Sequence, residues 1–520
     1  MANNLADLVR EAALARPDSP AFISEGRTTT WDAVDRQVHA VAGGVTALGL
    51  SQGDRVAIVM ENSVEFVASY FGVLRAGLVA VPISPAYTVD EFAGVFSQSG
   101  AKLILDTNVA DEAVREAAGP DLQVITVGTD EWRKFTIGST PPPSEETDPE
   151  SLALLLFTSG SRGAPRAAML THRALLANID QMQAIDSDIE ILGPDDVSLI
   201  VIPLTHIYGL NGLLGLITKT ASTGVLVDRF DAGETAALIK KWGVTSVIGV
   251  PGMFISWSAL PTLQEDFASV RLLVSGAAPL SPTVFQQFQT AGCTIWEGYG
   301  MTESSAVISS SVVSGQAKPG SVGQELPGIE LRLLDDEDEE VRSGDPGEIC
   351  VRGANIFSGY WPDGDEGPDE DGWFPTGDIA YRDEDGDLHL VDRRKELVLV
   401  NGFNVYPREI ENVLTNLPSV ALAAVISVRH PYTGEAVKAY VVPMPGEEVT
   451  VEELSEHCSR YLARFKCPSI IEIVPSLPHS VTGKIRKGEL RQQAQSELDN
   501  AEFSVSDTTL EAVDTTENPS

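Results

Sequence analysis

The chain has 520 residues, 43% hydrophobic and 21% charged, which is enough for two or more domains of about 100–200 residues and too apolar for a disordered polypeptide. Its 36 Lys and Arg against 75 Asp and Glu leave a formal charge of −39. That excludes broad nucleic-acid binding, which needs clustered cations, and opposes electrostatic docking on acidic lipid. The four cysteines, Cys293, Cys350, Cys458 and Cys467, form no CxxC pair and share no zinc spacing with histidine. They read as reduced thiols of a cytoplasmic protein. The opening MANNLADLVREAALARP carries charges where a signal peptide needs an apolar stretch. The most apolar run, Val64–Ile83, is interrupted by Glu65 and Arg75, so no transmembrane segment is expected. Peripheral membrane contact and a homodimer stay open.

In chain order, the first part alternates short apolar runs with helical spacing. Arg55–Met60, Val197–Pro203, Thr245–Pro251 and Arg271–Gly276 are branched and apolar on both faces, as buried parallel strands are. Val64–Gly77 has helical spacing. The alternation predicts an α/β fold of layered sheets and helices. Gly138–Glu150 is rich in proline and charge and reads as a surface linker. Three acidic runs, Asp335–Glu340, Asp363–Gly372 and Asp383–Asp387, raise the question of calcium. An EF-hand loop needs glycine at its sixth position, where the run from Asp383 has Leu388, so these read as solvated turns between strands. Past residue 390 the texture changes. Glu396–Leu414 predicts a hairpin and a helix opening at Pro407. The strands Val420–Val428 and Ala436–Met444, a helix near Thr450–Arg464, a strand near Ile470–Val474 and a last helix complete a small α+β unit. Asn500–Ser520 is polar and acidic and is expected to be disordered.

Leu152–His172 places an apolar strand before Thr158, Ser159, Gly160, Ser161, Arg162 and Gly163. Small residues in a tight loop expose backbone N–H groups that cradle phosphate. Arg162 and Arg166 add fixed cationic donors, although no Gly-Lys-Ser/Thr closes the loop as a Walker A motif would. Arg271–Ser281 ends a strand in a small-residue turn. Ile295–Ser305 then offers Tyr299 for stacking and Glu303 as a magnesium ligand. Phe374–Ala380 carries Asp378, suited to ribose hydroxyls, and Leu477–Arg491 carries Lys484 beside a glycine. Each alone has a structural alternative: an exposed turn, a core aromatic, a capping carboxylate, a surface lysine.

Their order is specific. TSGSRGAPRAAM, IPLTHIYGL, LVSGAAP, YGMTE, GSVG, TGD, DRRKELVLVNGFNVYPREIE and LPHSVTGKIRK follow one another between about residues 20 and 495. In that order they resemble the adenylate-forming superfamily of acyl- and aryl-CoA ligases, firefly luciferase and peptide-synthetase adenylation domains. The stretch from Asp392 looks most like bacterial medium- or long-chain fatty acyl-CoA ligases. The resemblance implies a large N-terminal domain over 1–392, a hinge at 393–396 with Lys395, a mobile C-terminal domain over 397–498 and a disordered tail over 499–520. By motif, Thr158–Gly163 and Arg166 would hold ATP phosphates. Gly276, Ala277, Ala278, Glu297, Gly298 and Tyr299 would border adenine, with Thr302 at the α-phosphate and Asp378 and Arg393 at the ribose. Thr158 and Glu303 would position Mg²⁺, His206, Gly276 and Gly300 would lie near the acyl carbonyl, and Gly402 would face the coenzyme A tunnel. Pocket walls are expected from Tyr208–Leu214 and Met253–Trp257.

The implied activity is an ATP-dependent ligase that turns a hydrophobic acid, foremost a fatty acid, into an acyl-adenylate and passes it to coenzyme A. Transfer to a carrier-protein phosphopantetheine and an aryl acid substrate are the alternatives. The chain departs from the family pattern at Arg162, Arg166 and Ala167, where the family has Thr, Lys and Gly, and at Leu399 and Asn401, where many relatives have lysine. Adenylation brings two anions together, so Lys484 is expected to neutralise charge in that step alone. Lys484→Ala should lower acyl-adenylate formation by about 10²–10³-fold while sparing thioester formation from supplied acyl-adenylate. Equal loss in both half-reactions, followed by rapid quench, would refute that role.

Overall fold

The computed structural model describes residues 2–120, 122–137, 147–158, 166–335, 337–393, 396–400, 403–430, 434–479 and 485–495. Among them the sequence-predicted strands are found within one to three residues of their expected ends, as Arg55–Val59, Val197–Ile200, Ser246–Gly249 and Leu272–Ser275. Helices start where a hydroxyl caps the first turn. Thr30, Ser63 and Thr171 accept from the backbone N–H of Ala33, Phe66 and Ala174 at 3.3, 3.1 and 3.1 Å.

Two sheets build the large unit. One runs in the order Gln123–Thr126, Leu103–Asp106, Arg55–Val59, Val79–Ile83, Leu152–Thr158, Arg166–Thr171, parallel except for its last pair. The other has a parallel centre, in which Thr223–Leu226, Val197–Ile200, Ser246–Gly249, Leu272–Ser275 and Ile295–Tyr299 are successive neighbours. It continues antiparallel through Ser309–Ser310 and Ser321–Glu325 to Leu388–Arg393 and Phe374–Arg382. The helices Trp31–Ala47, Val64–Arg75 and His172–Gln183 fill a shared core with strand residues of both sheets, such as Val56, Leu154 and Ile200. Parallel strands place all their carboxyl ends on one edge, which is where an open α/β sheet binds ligands.

The helix Pro251–Ser258, expected near the acid pocket, turns its large side chains elsewhere. Phe254 and Trp257 are fully buried in a second core against Phe267 and Phe288, with ring centroids of Trp257 and Phe254 5.6 Å apart edge to face. The reason is area: a fully buried aromatic side chain contributes more in an aromatic cluster than in a partly open pocket. The acidic turn Asp383–Asp387 also differs from the solvated turn expected. Lys318 sits within 3.2 Å of Asp383, 2.6 Å of Asp385 and 3.1 Å of Asp387, so a protein ammonium occupies the place of a cation. Among the described residues no His, Cys, Asp and Glu group is arranged to hold a metal ion by itself, and no helix is long and apolar enough to cross a membrane.

The small unit is a sheet of Phe403–Val405, Val398–Val400, Gly434–Pro443 and Val420–His430, with Ile470–Ile473 added beside Gly434–Pro443. The helices Pro407–Thr415 and Val451–Tyr461 cover one face through Ile410, Leu414, Leu454 and Cys458. Leu477, Leu490 and Ala494 cover the other. Hairpin, helix at Pro407 and following strands lie as the sequence predicts. Most of the linker, Lys395, and the tail fall outside the described residues.

Trp257 also donates through Nε1 to Thr235 Oγ1 at 2.9 Å. Trp257→Ala should cost about 3–5 kcal/mol of stability, read as a lowered urea midpoint, without moving ligand affinity, because the residue lies outside the cavity described next.

Candidate active site

The carboxyl ends of the central strands open onto a cavity of about 540 Å³. Strand Ile295–Tyr299 ends in Gly300, strand Leu272–Ser275 in Gly276, and strand Leu152–Thr158 in the loop 159–165. Ten of the residues singled out from sequence line this one space: Thr158, Arg166, His206, Gly276, Ala277, Gly298, Tyr299, Gly300, Thr302 and Glu303. Ala278, Glu297 and Asp378 sit behind it. Ser159, Gly160, Ser161, Arg162, Gly163, Lys395, Gly402 and Lys484 lie outside the described residues, and Arg393 is described only as the strand partner of Asp378.

Two glycines are required by close approach. A Cβ on Gly300 would stand 1.8 Å from the Ala306 carbonyl oxygen, and one on Gly276 would stand 2.8 Å from the Tyr208 hydroxyl. Both places keep backbone exposed to whatever enters. Asp378 accepts from the Tyr299 hydroxyl at 2.7 Å, which fixes the ring at the cavity wall, next to the lining residues Thr376 and Gly377. Glu297 is buried, and its carboxylate accepts backbone N–H groups of Gly320 at 3.0 Å and Leu280 at 3.4 Å. Burial pushes it up to about 7, against the pull of those N–H groups and of Arg408 in the small unit.

The charged side chains of the lining are Arg166 and Glu303. Arg166 begins the strand that leaves the loop, and its guanidinium lies 3.7 Å from the centre of the Tyr360 ring. Its Nη1 is 2.6 Å from Glu366 Oε2. The Tyr360 hydroxyl donates to Glu303 Oε1 at 2.6 Å. Burial, then the charge of Glu303, push that phenol well above the usual tyrosine range, so it remains a donor. Glu303 itself is buried. Tyr360 and Glu366 were not found from sequence. The only signal was a Gly-Tyr pair at the mouth of an acidic run, which reads as a turn.

His206 begins the helical turn Ile207–Gly209, and its Nδ1 accepts the Tyr208 N–H at 3.2 Å. A neutral imidazole that accepts at Nδ1 carries its proton on Nε2. The chain then opens into a π-helix over Leu210–Gly215, a form that clusters at functional sites. Asn211 from this turn donates to the carbonyls of Leu175 and Ser305 at 3.1 and 2.9 Å, which ties it to the segment holding Glu303. Of the predicted wall, Tyr208 and Gly212 line the cavity. Further apolar lining comes from Met182, Ile185, Ile191, Leu192, Leu216 and Ile248, among others. The Tyr208 hydroxyl is buried and has no hydrogen-bond partner among the described residues.

The Glu303 carboxylate and the Thr158 hydroxyl among the lining residues fit Mg²⁺, which keeps most of its water and binds through substrate phosphates rather than in a protein cage. The described residue Arg486, two positions beyond Lys484, is held by Glu489 and also feels the charge of Glu91. Glu91 begins the helix Val89–Ser99, whose Phe92 shares a core with Phe157 and Ala167 on either side of the loop 159–165.

Comparison with known proteins agrees with this geometry. The family model described as AMP-binding enzyme matches residues 9–361, and that described as AMP-binding enzyme C-terminal domain matches 409–484. The chain is 33% identical to a long-chain-fatty-acid–CoA ligase of Escherichia coli O157:H7, over 96% of each chain. It is 32% identical to 4-coumarate–CoA ligase 2 of Oryza sativa subsp. japonica, over 91% of this chain and 90% of the other. The crystal structure of ATP-bound MatB from Rhodopseudomonas palustris superposes with a TM-score of 0.86 at 31% identity, covering 94% of this chain and 99% of that one.

A carboxyl raised from 4.5 to about 7 destabilises the fold once it ionises. Its contribution is fully present below about 4.5 and is lost as pH rises towards 7. Glu297→Gln should therefore gain on the wild type in urea midpoint across that window and hold a constant difference above it. A difference that does not change with pH would show that Glu297 ionises freely.

Proposed function

Because the chain belongs to the AMP-binding enzyme family, we propose that it joins a fatty acid to coenzyme A at the expense of ATP, through an acyl-adenylate. The observation that carries the choice of acid is the cavity itself. Its far wall, from Met182 and Ile185 to Leu216 and Ile248, is apolar, and charge is confined to the end with Arg166 and Glu303. A carboxylate held at that end lays its chain along the wall.

In the first half-reaction a carboxylate oxygen attacks the α-phosphorus and pyrophosphate leaves. In the second the coenzyme A thiol attacks the acyl carbonyl, loses its proton and expels AMP. Arg166 and Lys484 supply positive charge to the phosphates, where electrostatic stabilisation of a transition state is strongest. Bound Mg²⁺ would neutralise phosphate charge, with Glu303 and Thr158 as its protein neighbours. His206 presents an Nε2 proton to the acid end. Tyr299, pinned by Asp378, stacks against the base, with Gly276 and Gly300 leaving room for it. Support for Lys484 comes from Arg486, whose charge contact with Glu91 lies on the side of the loop 159–165. A reducing cytoplasm suits the four cysteines, none of them in a disulfide.

The Tyr208 hydroxyl favours a second reading. Tyr208 lines the cavity, its buried hydroxyl has no partner among the described residues, and a hydroxylated aromatic acid that reaches it on a turn of the ring would give it one. A panel of acids separates the two. Against straight-chain acids, kcat/KM should rise about three- to fourfold per added methylene until the cavity fills, from about 0.8 kcal/mol per buried CH₂. A maximum on a hydroxycinnamate instead would establish the aryl reading.

A further inference from the structure

The segment from Phe357 to Gly367 is stitched to the strand that leaves the loop 159–165. Ser358 N–H donates to Met169 O, Met169 N–H to Gly359 O, and Trp361 N–H to Ala167 O, at 3.0, 3.0 and 2.9 Å. Its own turn is tight. Tyr360 N–H donates to Asp365 O at 3.1 Å and Gly364 N–H to Tyr360 O at 2.8 Å. A Cβ on Gly359 would stand 2.1 Å from Gly364 O. Tyr360 and Glu366 are thus carried to fixed places beside Arg166, and Glu366 itself takes a positive φ of 52°.

We propose that Tyr360 is a positioning residue for the phosphate end of the site and that Glu366 is a displaceable stand-in for phosphate on Arg166. The Tyr360 hydroxyl aims the Glu303 carboxylate, and its ring face carries the Arg166 guanidinium. One aromatic side chain therefore sets the spacing between the residue that faces Mg²⁺ and the residue that faces the triphosphate. A guanidinium resting on a ring face keeps its edge N–H groups for anions. One of them is paired with Glu366. That carboxylate is 51% exposed and Arg166 26%, and ion pairs so open to water are weak. A triphosphate carrying several charges can displace it. The pairing holds Arg166 against the Tyr360 ring, at the cost of a modest competition with ATP. The proposal rests on the reading of Arg166 and Glu303 as the nucleotide end.

Variants of Glu366, Arg166 and Tyr360 test it. Glu366→Gln should tighten Mg·ATP binding by about three- to fivefold in calorimetry, the size of a surface ion pair, and added salt should shrink the difference. In an Arg166→Ala background the same change should have no effect. Tyr360→Phe, which keeps the ring, should raise the Mg²⁺ concentration for half-maximal adenylation about tenfold through loss of a hydrogen bond to a charged group, leaving KM for the acid in place. Tyr360→Leu should weaken ATP binding as well. If Tyr360→Leu does not fold, Tyr360→Phe still decides the role of the hydroxyl. An unaltered Mg²⁺ requirement in Tyr360→Phe would overturn the positioning role. A Glu366→Gln effect that is absent, or that survives Arg166→Ala, would overturn the stand-in role. Should Arg166→Ala alone bind Mg·ATP like the wild type, the nucleotide reading of this end fails, and the proposal with it.

Discussion

Two anions must meet inside a protein that itself carries a formal charge of −39. Every other feature of the site answers to that constraint. A carboxylate and a triphosphate repel, the surrounding surface repels both, and only a few cations are placed where the reaction occurs. Among the described residues Arg166 is the Lys or Arg side chain of the cavity lining, so its position matters more than it would in a basic protein. The fold fixes it three times over: by strand pairing through Ala167 and Ala168, by the ring of Tyr360, and by Glu366. Elsewhere Lys318 pairs with Asp383, Asp385 and Asp387 and offsets part of the charge of that turn.

The geometry follows from parallel strands. Their amide ends and the small residues after them lie on one edge, so Gly276 and Gly300 arrive beside each other although separate strands deliver them. His206 and Tyr208 reach the same cavity from beyond Val197–Ile200, which Ser246–Gly249 separates from Leu272–Ser275, and Asn211 of the π-helix Leu210–Gly215 locks that turn to Ser305. The site is thus mounted on hydrogen-bonded backbone from both sheets.

Much of this was legible in the sequence because it is local. Branched apolar runs gave strands, Pro407 gave a helix start, and the small-residue turns that follow strands gave the cavity edge. What was not legible is pairing across distance. Tyr360 meets Glu303 across 57 positions, and Arg166 meets Glu366 across 200. A Gly-Tyr pair beside an acidic run has no local signal that tells a turn from a support. The same holds for Lys318, 65 positions before its first partner Asp383. Trp257 was misplaced because a large aromatic near a pocket motif satisfies either a wall or a core, and only the arrangement of Phe230, Phe254 and Phe267 around it decides. Chemistry-bearing motifs are read from side-chain type and spacing. Supporting contacts are chosen by packing, which the chain sets only when folded.

The balance between the apolar wall and the Tyr208 hydroxyl can be weighed by magnitude. An unpartnered buried hydroxyl costs about 1–3 kcal/mol relative to a satisfied one. Each methylene removed from water contributes about 0.8 kcal/mol. Two to four methylenes on the wall therefore offset whatever a polar ring substituent would gain at Tyr208. The wall is built from Met182, Ile185, Ile191, Leu192, Leu216 and Ile248, long enough for an acyl chain to make many such contacts. A chain of even moderate length wins on area, and a ring wins only if its hydroxyl meets Tyr208 with good geometry. Discrimination by length is gradual and discrimination by a buried hydrogen bond is sharp. A cavity with a long apolar wall and one unsatisfied donor is therefore selective for hydrophobic acids as a class, with its finer preference set at a single side chain.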